Sequence, residues 1–293
     1  MKFIVLGASG FVGKHFYAKV KEAGYDCIGT RNRSDDERFF PFALGQDRIA
    51  DSLPEVNSLK NNTYAVICIK YGLMDVYDNQ SGDVEVKAMK CLIKDLLDLG
   101  TKVVYLSTSY VFDGQTGNYS EISERMPIST YGSHKYEIEK YIEKLNGDIL
   151  TLRLDKVVGD KPTESHLFSE WWSLVKQSKN IECIETQFMS PTFVEDITKG
   201  ILEACQLGLT GIYNHANPHS FRRSDLAQLF VNKMGVNTRV VERSQENFKF
   251  TELRPLRSNL DSSRFQKETG LTYTPMVDVI SKFKKEVLIL SKW

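Results

Sequence analysis

The stretch that decides the fold reads Phe3-Ile4-Val5-Leu6-Gly7-Ala8-Ser9-Gly10-Phe11-Val12-Gly13. Apolar residues of strand length lead into a Gly-x-x-Gly-x-x-Gly pattern, and a segment of helical period follows. Glycines between a strand and a helix let the backbone turn tightly and approach a pyrophosphate, which the helix N-terminus stabilises. The pattern therefore predicts a dinucleotide-binding loop made by Gly7, Gly10, Phe11, Val12 and Gly13.

Strand-like and helix-like segments alternate beyond this loop. The alternation predicts an α/β fold, a Rossmann-type doubly wound parallel sheet with a smaller C-terminal substrate-binding part. We expect the cofactor-binding domain in residues 1–160, with a return to it around 193–215, and a mainly substrate-binding part in 161–293. An ordinary glycine-rich turn is the competing interpretation of the loop, and this alternation disfavours it. The predicted strands are Phe3–Leu6, Asp26–Thr30, Tyr64–Ile69, Lys102–Leu106 and Asp148–Arg153, and the predicted helices include Phe11–Ala23 and Val84–Leu99.

An arginine stands at the end of the second predicted strand. The segment Thr30-Arg31-Asn32-Arg33 lies where an acidic residue would bind the ribose hydroxyls of NAD. Arg31 can instead hold the 2′-phosphate of NADPH. A solvated basic loop beside Asp35-Asp36-Glu37 is the alternative interpretation. We expect NADPH as the cofactor, with NADH as the alternative.

Tyr131 and Lys135 lie four residues apart, downstream of a Ser107-Thr108-Ser109 cluster that closes an apolar run. The pairs Tyr17–Lys21 and Tyr136–Lys140 have the same spacing, so spacing alone does not choose among the three. The position in the predicted fold selects Tyr131–Lys135, because the strand before Tyr131 places hydroxyl groups at the carboxyl edge of the sheet, where open α/β sheets bind ligands.

These residue types suit the reduction of a ketone. Hydride addition needs an acid to protonate the emerging alkoxide, and a free tyrosine, with a pKa near ~10, is a poor acid at neutral pH. Lys135 is one helical turn beyond Tyr131, so its charge can favour the phenolate and its protons can bind the nicotinamide ribose. Thr108 can hydrogen-bond the carbonyl oxygen. We expect Thr108, Tyr131 and Lys135 to be catalytic, and Tyr131 and Lys135 also to contact the cofactor.

Composition narrows the class of partner. The chain has 38 basic and 38 acidic side chains, which gives no reason to expect nucleic-acid or membrane binding and favours a small molecule. Five scattered cysteines without Cys-x-x-Cys spacing, and a glycine motif that leaves no room for a signal peptide, predict a cytoplasmic protein. No His or Cys spacing predicts a metal site.

Four further segments carry specific motifs: Leu106-Ser107-Thr108-Ser109-Tyr110-Val111-Phe112-Asp113-Gly114, Pro127-Ile128-Ser129-Thr130-Tyr131-Gly132-Ser133-His134-Lys135, Ser190-Pro191-Thr192, and Arg254-Pro255 with Asn259-Leu260-Asp261. Through them the chain resembles the extended short-chain dehydrogenase/reductases, and among these the dTDP-4-dehydrorhamnose reductase-like sugar-nucleotide reductases. The likeness spans nearly the whole chain.

The resemblance implies hydride transfer from NADPH to C4 of a 4-keto-6-deoxy sugar on a nucleoside diphosphate, with Tyr131 as general acid. An epimerase or combined epimerase–reductase, and a non-catalytic NADP-binding regulatory subunit, are the alternatives within the same family. A homodimer is compatible with the resemblance. The resemblance to this family places the nucleotide-sugar substrate against Ser109, Tyr110, Phe112, Lys156 and Arg254.

Three lysines depart from the family pattern. Lys156 replaces an aromatic residue of the sugar pocket, which predicts a substrate with an added polar or anionic group or a different nucleotide, unless Lys156 turns to solvent. An asparagine that in the family steadies the catalytic lysine aligns with Lys87 or its neighbours. Lys70 follows the fourth strand, where it either binds phosphate or is solvated. Ser109 stands where the family has an acidic residue beside the catalytic threonine.

Overall fold

The computed structural model describes residues 1–53, 62–69, 79–250 and 252–291. Within these ranges the strands are β1 Lys2–Leu6, β2 Asp26–Arg31, β3 Phe40–Pro41, β4 Thr63–Ile67, β5 Lys102–Thr108, β6 Ile149–Leu154, β7 Val157–Val158, β8 Ile181–Ile184, β9 Phe188–Met189, β10 Thr192–Phe193, β11 Gly211–Asn214, β12 Phe221–Arg222 and β13 Val240–Arg243. The helices of the same ranges are α1 Phe11–Glu22, α2 Ile49–Ser52, α3 Asn79–Asp98, α4 Thr130–Ile142, α5 Leu167–Lys176, α6 Val194–Gln206, α7 Arg223–Met234, α8 Ser263–Thr269 and α9 Met276–Leu290.

Seven of the described strands form one parallel sheet, in the order β11-β6-β5-β4-β1-β2-β3. Lys2 of β1 is in register with Asp26 on one side and with Thr63 on the other. The chain winds outward from β1 to β3 and then crosses back to β4, so the order reverses between β1 and β4. In open α/β sheets this reversal creates the crevice in which ligands bind. The predicted doubly wound parallel sheet is confirmed.

Helices cover both faces of the sheet, because the inner strands are apolar on both sides. One core lies between the sheet and the helices α1 and α6, and includes Phe3, Phe16, Val104 and Ile197. The opposite core lies against α3 and α4, and includes Leu6, Ile93, Tyr105 and Ile138. These layers hold the carboxyl ends of β1, β4 and β5 in fixed positions beside one another.

A third core unites the helices of the second half. Phe168 of α5 stacks on Phe230 of α7 with ring centroids 5.5 Å apart, and Phe283 of α9 contacts both rings. Trp171 is 2% exposed and packs edge-on against Phe230. The aromatic rings thus bind α5, α7 and α9 into one unit next to the sheet.

The sequence showed no clear element in residues 31–60, and the structure explains why. Its described part holds only β3, of two residues, and α2, of four, both too short to show a period. β5 extends two residues beyond its predicted end at Leu106 and includes Ser107 and Thr108. None of the described helices is long and apolar enough to cross a membrane.

His15 links the helix after the glycine loop to the second half of the chain. Its Nδ1 lies 2.8 Å from Glu195 Oε1 and its Nε2 lies 3.0 Å from Glu164 Oε2. Burial lowers the pKa of His15, but the hydrogen bonds and charges of the two carboxylates outweigh burial and raise that pKa to about 9. Against the opposing effect of burial, His15 and Lys14 hold the pKa of Glu164 at about 2. The cluster therefore joins α1 to the start of α6 and to the segment before α5.

Candidate active site

The glycine loop closes tightly between β1 and α1. A Cβ added at Gly13 would overlap the carbonyl oxygen of Gly7, so only glycine lets the helix approach the strand this closely. The Gly7 N–H donates to Thr30 Oγ1 at 3.0 Å, which ties the loop to β2. Gly10 is exposed, and no side chain of the described residues caps the start of α1. The loop thus presents bare backbone and a helix N-terminus to a ligand, as an anionic pyrophosphate requires.

Arg31 lies at the end of β2, at the same edge of the sheet. Its Nε donates to the Phe39 carbonyl at 3.1 Å, and its Nη1 donates to the Ser34 carbonyl at 2.6 Å. Nη2 takes part in neither bond. The guanidinium therefore organises the loop after β2, and its reading of a 2′-phosphate stays a prediction.

Thr108 and Tyr131 meet at the carboxyl end of β5. Thr108 is the last residue of the strand, and its Oγ1 accepts a hydrogen bond from the Tyr110 N–H at 3.3 Å, at the start of a short 3₁₀ helix, Ser109–Val111. The Tyr131 hydroxyl is hydrogen-bonded to Thr108. Burial raises the pKa of the Tyr131 phenol, and the hydrogen bond to Thr108 opposes that rise. The protonated phenol, the form that a general acid needs, is therefore favoured.

Gly132 sets the position of Tyr131. A Cβ at Gly132 would overlap the Tyr110 carbonyl oxygen, so the helix start rests directly on the backbone of the 3₁₀ turn. The Ser129 side chain caps α4 by accepting a hydrogen bond from the Gly132 N–H at 3.1 Å. Tyr131 lies edge-on to Tyr110, with ring centroids 6.1 Å apart. Sequence reasoning missed Gly132 as a positioning residue, although it is part of the quoted Tyr-Gly motif.

Lys135 lies under the site rather than at its surface. Its side chain is buried, its Nζ donates to the Leu106 carbonyl at 2.8 Å, and it lies 4.6 Å from the centre of the Tyr105 ring. Burial lowers the pKa of Lys135 to about 7, and the charge of Glu139 opposes that shift. The Lys135 amine is directed at a strand carbonyl in this arrangement, and its effect on the pKa of Tyr131 stays a prediction.

Glu139 lies one turn beyond Lys135 on the same face of α4, and it was not among the residues expected from the sequence. The Ser107 hydroxyl donates to Glu139 Oε1 at 2.5 Å. Arg153, which is fully buried, donates to Glu139 through Nε at 3.0 Å and Nη2 at 2.7 Å, and Arg125 Nη1 donates to it at 3.0 Å. The spacing Tyr131, Lys135, Glu139 was the available signal, because residues four apart share a helix face.

Asp155, two residues after Arg153, accepts hydrogen bonds from three other segments of the chain. Its Oδ1 accepts hydrogen bonds from the hydroxyls of Ser109 and Ser258, each at 2.8 Å, and its Oδ2 accepts one from the Ser190 N–H at 2.5 Å. Burial raises the pKa of Asp155 to about 6, and these hydrogen bonds oppose the rise. Asp155 thus places a carboxylate beside Ser109, the position at which the family pattern has an acidic residue.

The remaining predicted substrate residues differ in placement. Phe112 has no exposed surface and stacks on Tyr119 with ring centroids 4.3 Å apart, which favours a role in packing. Tyr110 and Lys156 are half-buried, and the Arg254 guanidinium lies 4.0 Å from the centre of the Phe250 ring.

The other two lysines that depart from the family pattern do not enter this arrangement. Lys87 is exposed on α3, and Lys70 lies outside the described residues. His134, in the turn between Tyr131 and Lys135, is buried. The described residues contain no group of three or more His, Cys, Asp or Glu that could hold a metal ion.

Comparison with known proteins adds the family. A family model described as RmlD substrate binding domain matches residues 1–288. The probable low-salt glycan biosynthesis reductase of Haloferax volcanii is 27% identical over 289 residues, which cover 95% of each chain. Methionine adenosyltransferase 2 subunit beta of Xenopus tropicalis is 23% identical over 90% of this chain and 81% of its own. A crystal structure of dTDP-4-dehydrorhamnose reductase from Bacillus anthracis, in complex with NADP, shares the fold, with a TM-score of 0.81 and 22% identity over 98% of this chain and 100% of that chain.

Proposed function

The chain belongs to the RmlD substrate binding domain family, and we propose that it is an NADPH-dependent reductase of a 4-keto-6-deoxy sugar carried on a nucleoside diphosphate. One observation carries the proposal: Tyr131, hydrogen-bonded to Thr108 at the carboxyl end of β5, lies one helical turn before the buried Lys135. The reductase name of the Haloferax volcanii relative supports the same class of reaction.

The glycine loop fits a dinucleotide for two reasons. The backbone is exposed at Gly10, where a phosphate can approach it, and the absence of a side chain at Gly13 lets the start of α1 pack against the loop. In our proposal Gly7, Gly10 and Gly13, with the backbone of Phe11 and Val12, hold the pyrophosphate. Residues 1–160 and the return at 193–215 hold the cofactor, while 161–293 mainly hold the substrate. When bound, the reduced nicotinamide supplies the hydride. The NADP bound by the Bacillus anthracis relative supports this choice of cofactor.

The side chains of this chain then supply the proton. The Tyr131 phenol gives its proton to the ketone oxygen as that oxygen becomes an alkoxide, and Thr108 Oγ1 hydrogen-bonds the same oxygen. Lys135, anchored by the Leu106 carbonyl, orients the nicotinamide ribose and places a positive charge near the phenolate that remains. Ser109, Tyr110 and Arg254 line the sugar-nucleotide side.

The test is the oxidation of NADPH by the purified protein with a panel of 4-keto sugar nucleotides. With NADPH deuterated at the transferred position, we expect deuterium at C4 of the product. Tyr131→Phe serves as the inactive control. Tight binding of NADPH without reduction of any member of the panel would contradict the proposal.

A regulatory subunit is the second candidate, favoured by the likeness to methionine adenosyltransferase 2 subunit beta. Such a role has no chemical need for Thr108, Tyr131 and Lys135 together. A methionine adenosyltransferase assay with and without this chain decides between the two candidates, because only a regulatory subunit should change that activity. The Tyr131→Phe variant of a regulatory subunit should change it as much as the wild type does.

A further inference from the structure

Two segments of the second half of the chain pair with each other beside the sheet. The Phe188 N–H of β9 donates to the Leu256 carbonyl at 2.6 Å, and the Ser258 N–H donates to the Phe188 carbonyl at 3.0 Å, as in a parallel bridge. We call β9 and the segment 256–258 the paired segments. The expected substrate residue Arg254 lies shortly before the second of them in the chain.

Asp155 lies at the edge of the sheet, beside the end of β5. Thr108 is in register with Leu154, so the residues that follow them, Ser109 and Asp155, leave β5 and β6 side by side. The Ser109 hydroxyl donates to Asp155 Oδ1 at 2.8 Å. The carboxylate is therefore fixed next to the neighbour of Thr108, which in the proposed function hydrogen-bonds the ketone oxygen.

The same carboxylate also holds both paired segments. The Ser258 hydroxyl donates to Asp155 Oδ1 at 2.8 Å, and the N–H of Ser190, directly after β9, donates to Oδ2 at 2.5 Å. Ser109, Ser190 and Ser258 are buried. Loss of the carboxylate would therefore deprive buried donors of the acceptor that they now share, which is costly in a folded chain.

Backbone bonds keep the two halves together independently of this side chain. The Thr192 N–H donates to the Lys156 carbonyl at 2.8 Å, within the pairing of β10 with β7. The Arg257 N–H donates to the Gly114 carbonyl at 2.9 Å. Because a substitution at position 155 preserves these bonds, we expect it to shift the paired segments and not to release them.

The cofactor loop and the groups expected to react lie on the sheet side of this junction. Gly7 is tied to Thr30 of β2 at 3.0 Å, Thr108 ends β5, and Tyr131 and Lys135 belong to α4. A shift of the paired segments would therefore leave the cofactor loop and the reacting groups in place. The change would fall on the substrate part alone.

We propose that Asp155 is a positioning residue for the sugar nucleotide: its carboxylate holds the paired segments against the end of β5 and thereby sets the distance between Arg254 and Thr108. The inference rests on the proposed function, in which residues 161–293 mainly hold the substrate. Affinity for the sugar nucleotide depends on Asp155, whereas affinity for NADPH does not. Asp155 acts through the three donors that it holds and not by contact with the ligand.

Binding tests this without any turnover. Calorimetry at about pH 8, above the pKa of Asp155 of about 6, gives the dissociation constant of dTDP-glucose with the NADP⁺-saturated protein. Fluorescence titration gives that of NADPH. We expect Asp155→Ser, which is too short to reach the three donors, to weaken dTDP-glucose at least about tenfold and NADPH by less than about twofold.

A conservative variant separates positioning from charge. In Asp155→Asn the amide oxygen can still accept from the Ser190 N–H, and the amide nitrogen can donate to the hydroxyls of Ser109 and Ser258. We expect this variant to bind dTDP-glucose within about threefold of the wild type. Asp148→Ser, at the exposed opposite end of β6, is the matched control and should bind both ligands as the wild type does.

A milder variant keeps the inference testable if Asp155→Ser does not fold. Ser258→Ala removes one of the three hydrogen bonds and leaves the carboxylate in place. It should weaken dTDP-glucose by about threefold or more and leave NADPH unchanged.

Unchanged affinity for dTDP-glucose in Asp155→Ser, or in Ser258→Ala if the former does not fold, would remove the positioning role. Equal weakening of dTDP-glucose and NADPH would make that role a general structural one. Asp155→Asn binding as weakly as Asp155→Ser would show that the charge itself acts on the ligand. Absence of dTDP-glucose binding by the wild type would remove this inference together with the proposed function. Binding that depends on Asp155, without reduction of any 4-keto sugar nucleotide, would contradict the proposed reductase alone.

Discussion

Gly132 rests on the carbonyl oxygen of Tyr110 with no room for a Cβ, so the helix that carries the candidate acid is fixed to the turn that follows β5. We expect Gly132→Ala to push the start of α4 away from β5, break the bond between Tyr131 and Thr108, and lower turnover more than it lowers cofactor affinity. Kinetics and NADPH titration of the variant provide the measurement. Glu137→Ala, at an exposed position of the same helix, is the control and should behave like the wild type.

Tyr131→Phe should lower turnover by a factor on the order of a hundred or more, the usual scale for the loss of a general acid, while NADPH binding and the unfolding temperature stay near wild-type values. Tyr136→Phe removes a hydroxyl from the neighbouring Tyr-x-x-x-Lys pair and is the matched control. Equal turnover in the two variants would exclude Tyr131 from proton transfer.

Arg31→Ala should weaken NADPH much more than NADH, because a charge-assisted hydrogen bond to the 2′-phosphate contributes roughly 1.5–3 kcal/mol. The variant also loses the bonds to the Ser34 and Phe39 carbonyls, so a modest loss for NADH is expected as well. Arg38→Ala, at an exposed arginine paired with Asp36, is the control for charge alone. Fluorescence titration with both cofactors gives the ratio of their dissociation constants. A ratio equal to that of the wild type would show that Arg31 does not bind the phosphate.

Glu139→Gln leaves the buried guanidinium of Arg153 without its carboxylate partner. We expect a loss of about 3–5 kcal/mol in the free energy of unfolding, the usual cost of breaking a buried ion pair from one side. Since the charge of Glu139 also raises the pKa of Lys135, any pH dependence of turnover that reflects Lys135 should shift to lower pH. Urea unfolding and a pH–rate profile measure the two effects. Glu143→Gln, whose partner Arg125 is partly exposed, should cost much less.

The raised pKa of His15 predicts that the free energy of unfolding depends on pH. Its pKa in the folded chain, about 9, is above the ordinary value of 6.5. The contribution of protonated His15 to the free energy of unfolding is therefore complete below about pH 6.5 and is lost as pH rises through 9. Glu164 has the opposite sign: its pKa is lowered from 4.5 to about 2, so its contribution is lost as pH falls through that range. Unfolding free energies measured across pH should fall between pH 6.5 and 9 in the wild type and much less in His15→Gln. His219→Gln, at an exposed histidine, should follow the wild type.

The parts of the molecule with strong local signals could be predicted. The parallel sheet followed from alternating apolar segments, and the glycine loop followed from its place between β1 and α1, because both depend on neighbouring residues in the sequence. Glu139 and Asp155 were missed as parts of the candidate site, since their roles arise from partners far away in the chain. Asp155 acquires its role only when Ser109, Ser190 and Ser258 reach it from three other segments.

The three hydrogen bonds of Asp155 join residues separated by 46, 35 and 103 positions along the chain. Closing such loops costs chain entropy before any contact compensates for it, so contacts of long sequence separation form late in folding. The sheet also joins distant segments, Lys2 with Thr63 and Leu150 with Gly211, each pair 61 positions apart, so only the bond from Ser258 spans more. The hydrogen-bond network of Asp155 is therefore completed last, after the C-terminal segment has docked, and a nascent or truncated chain would form the glycine loop before this network.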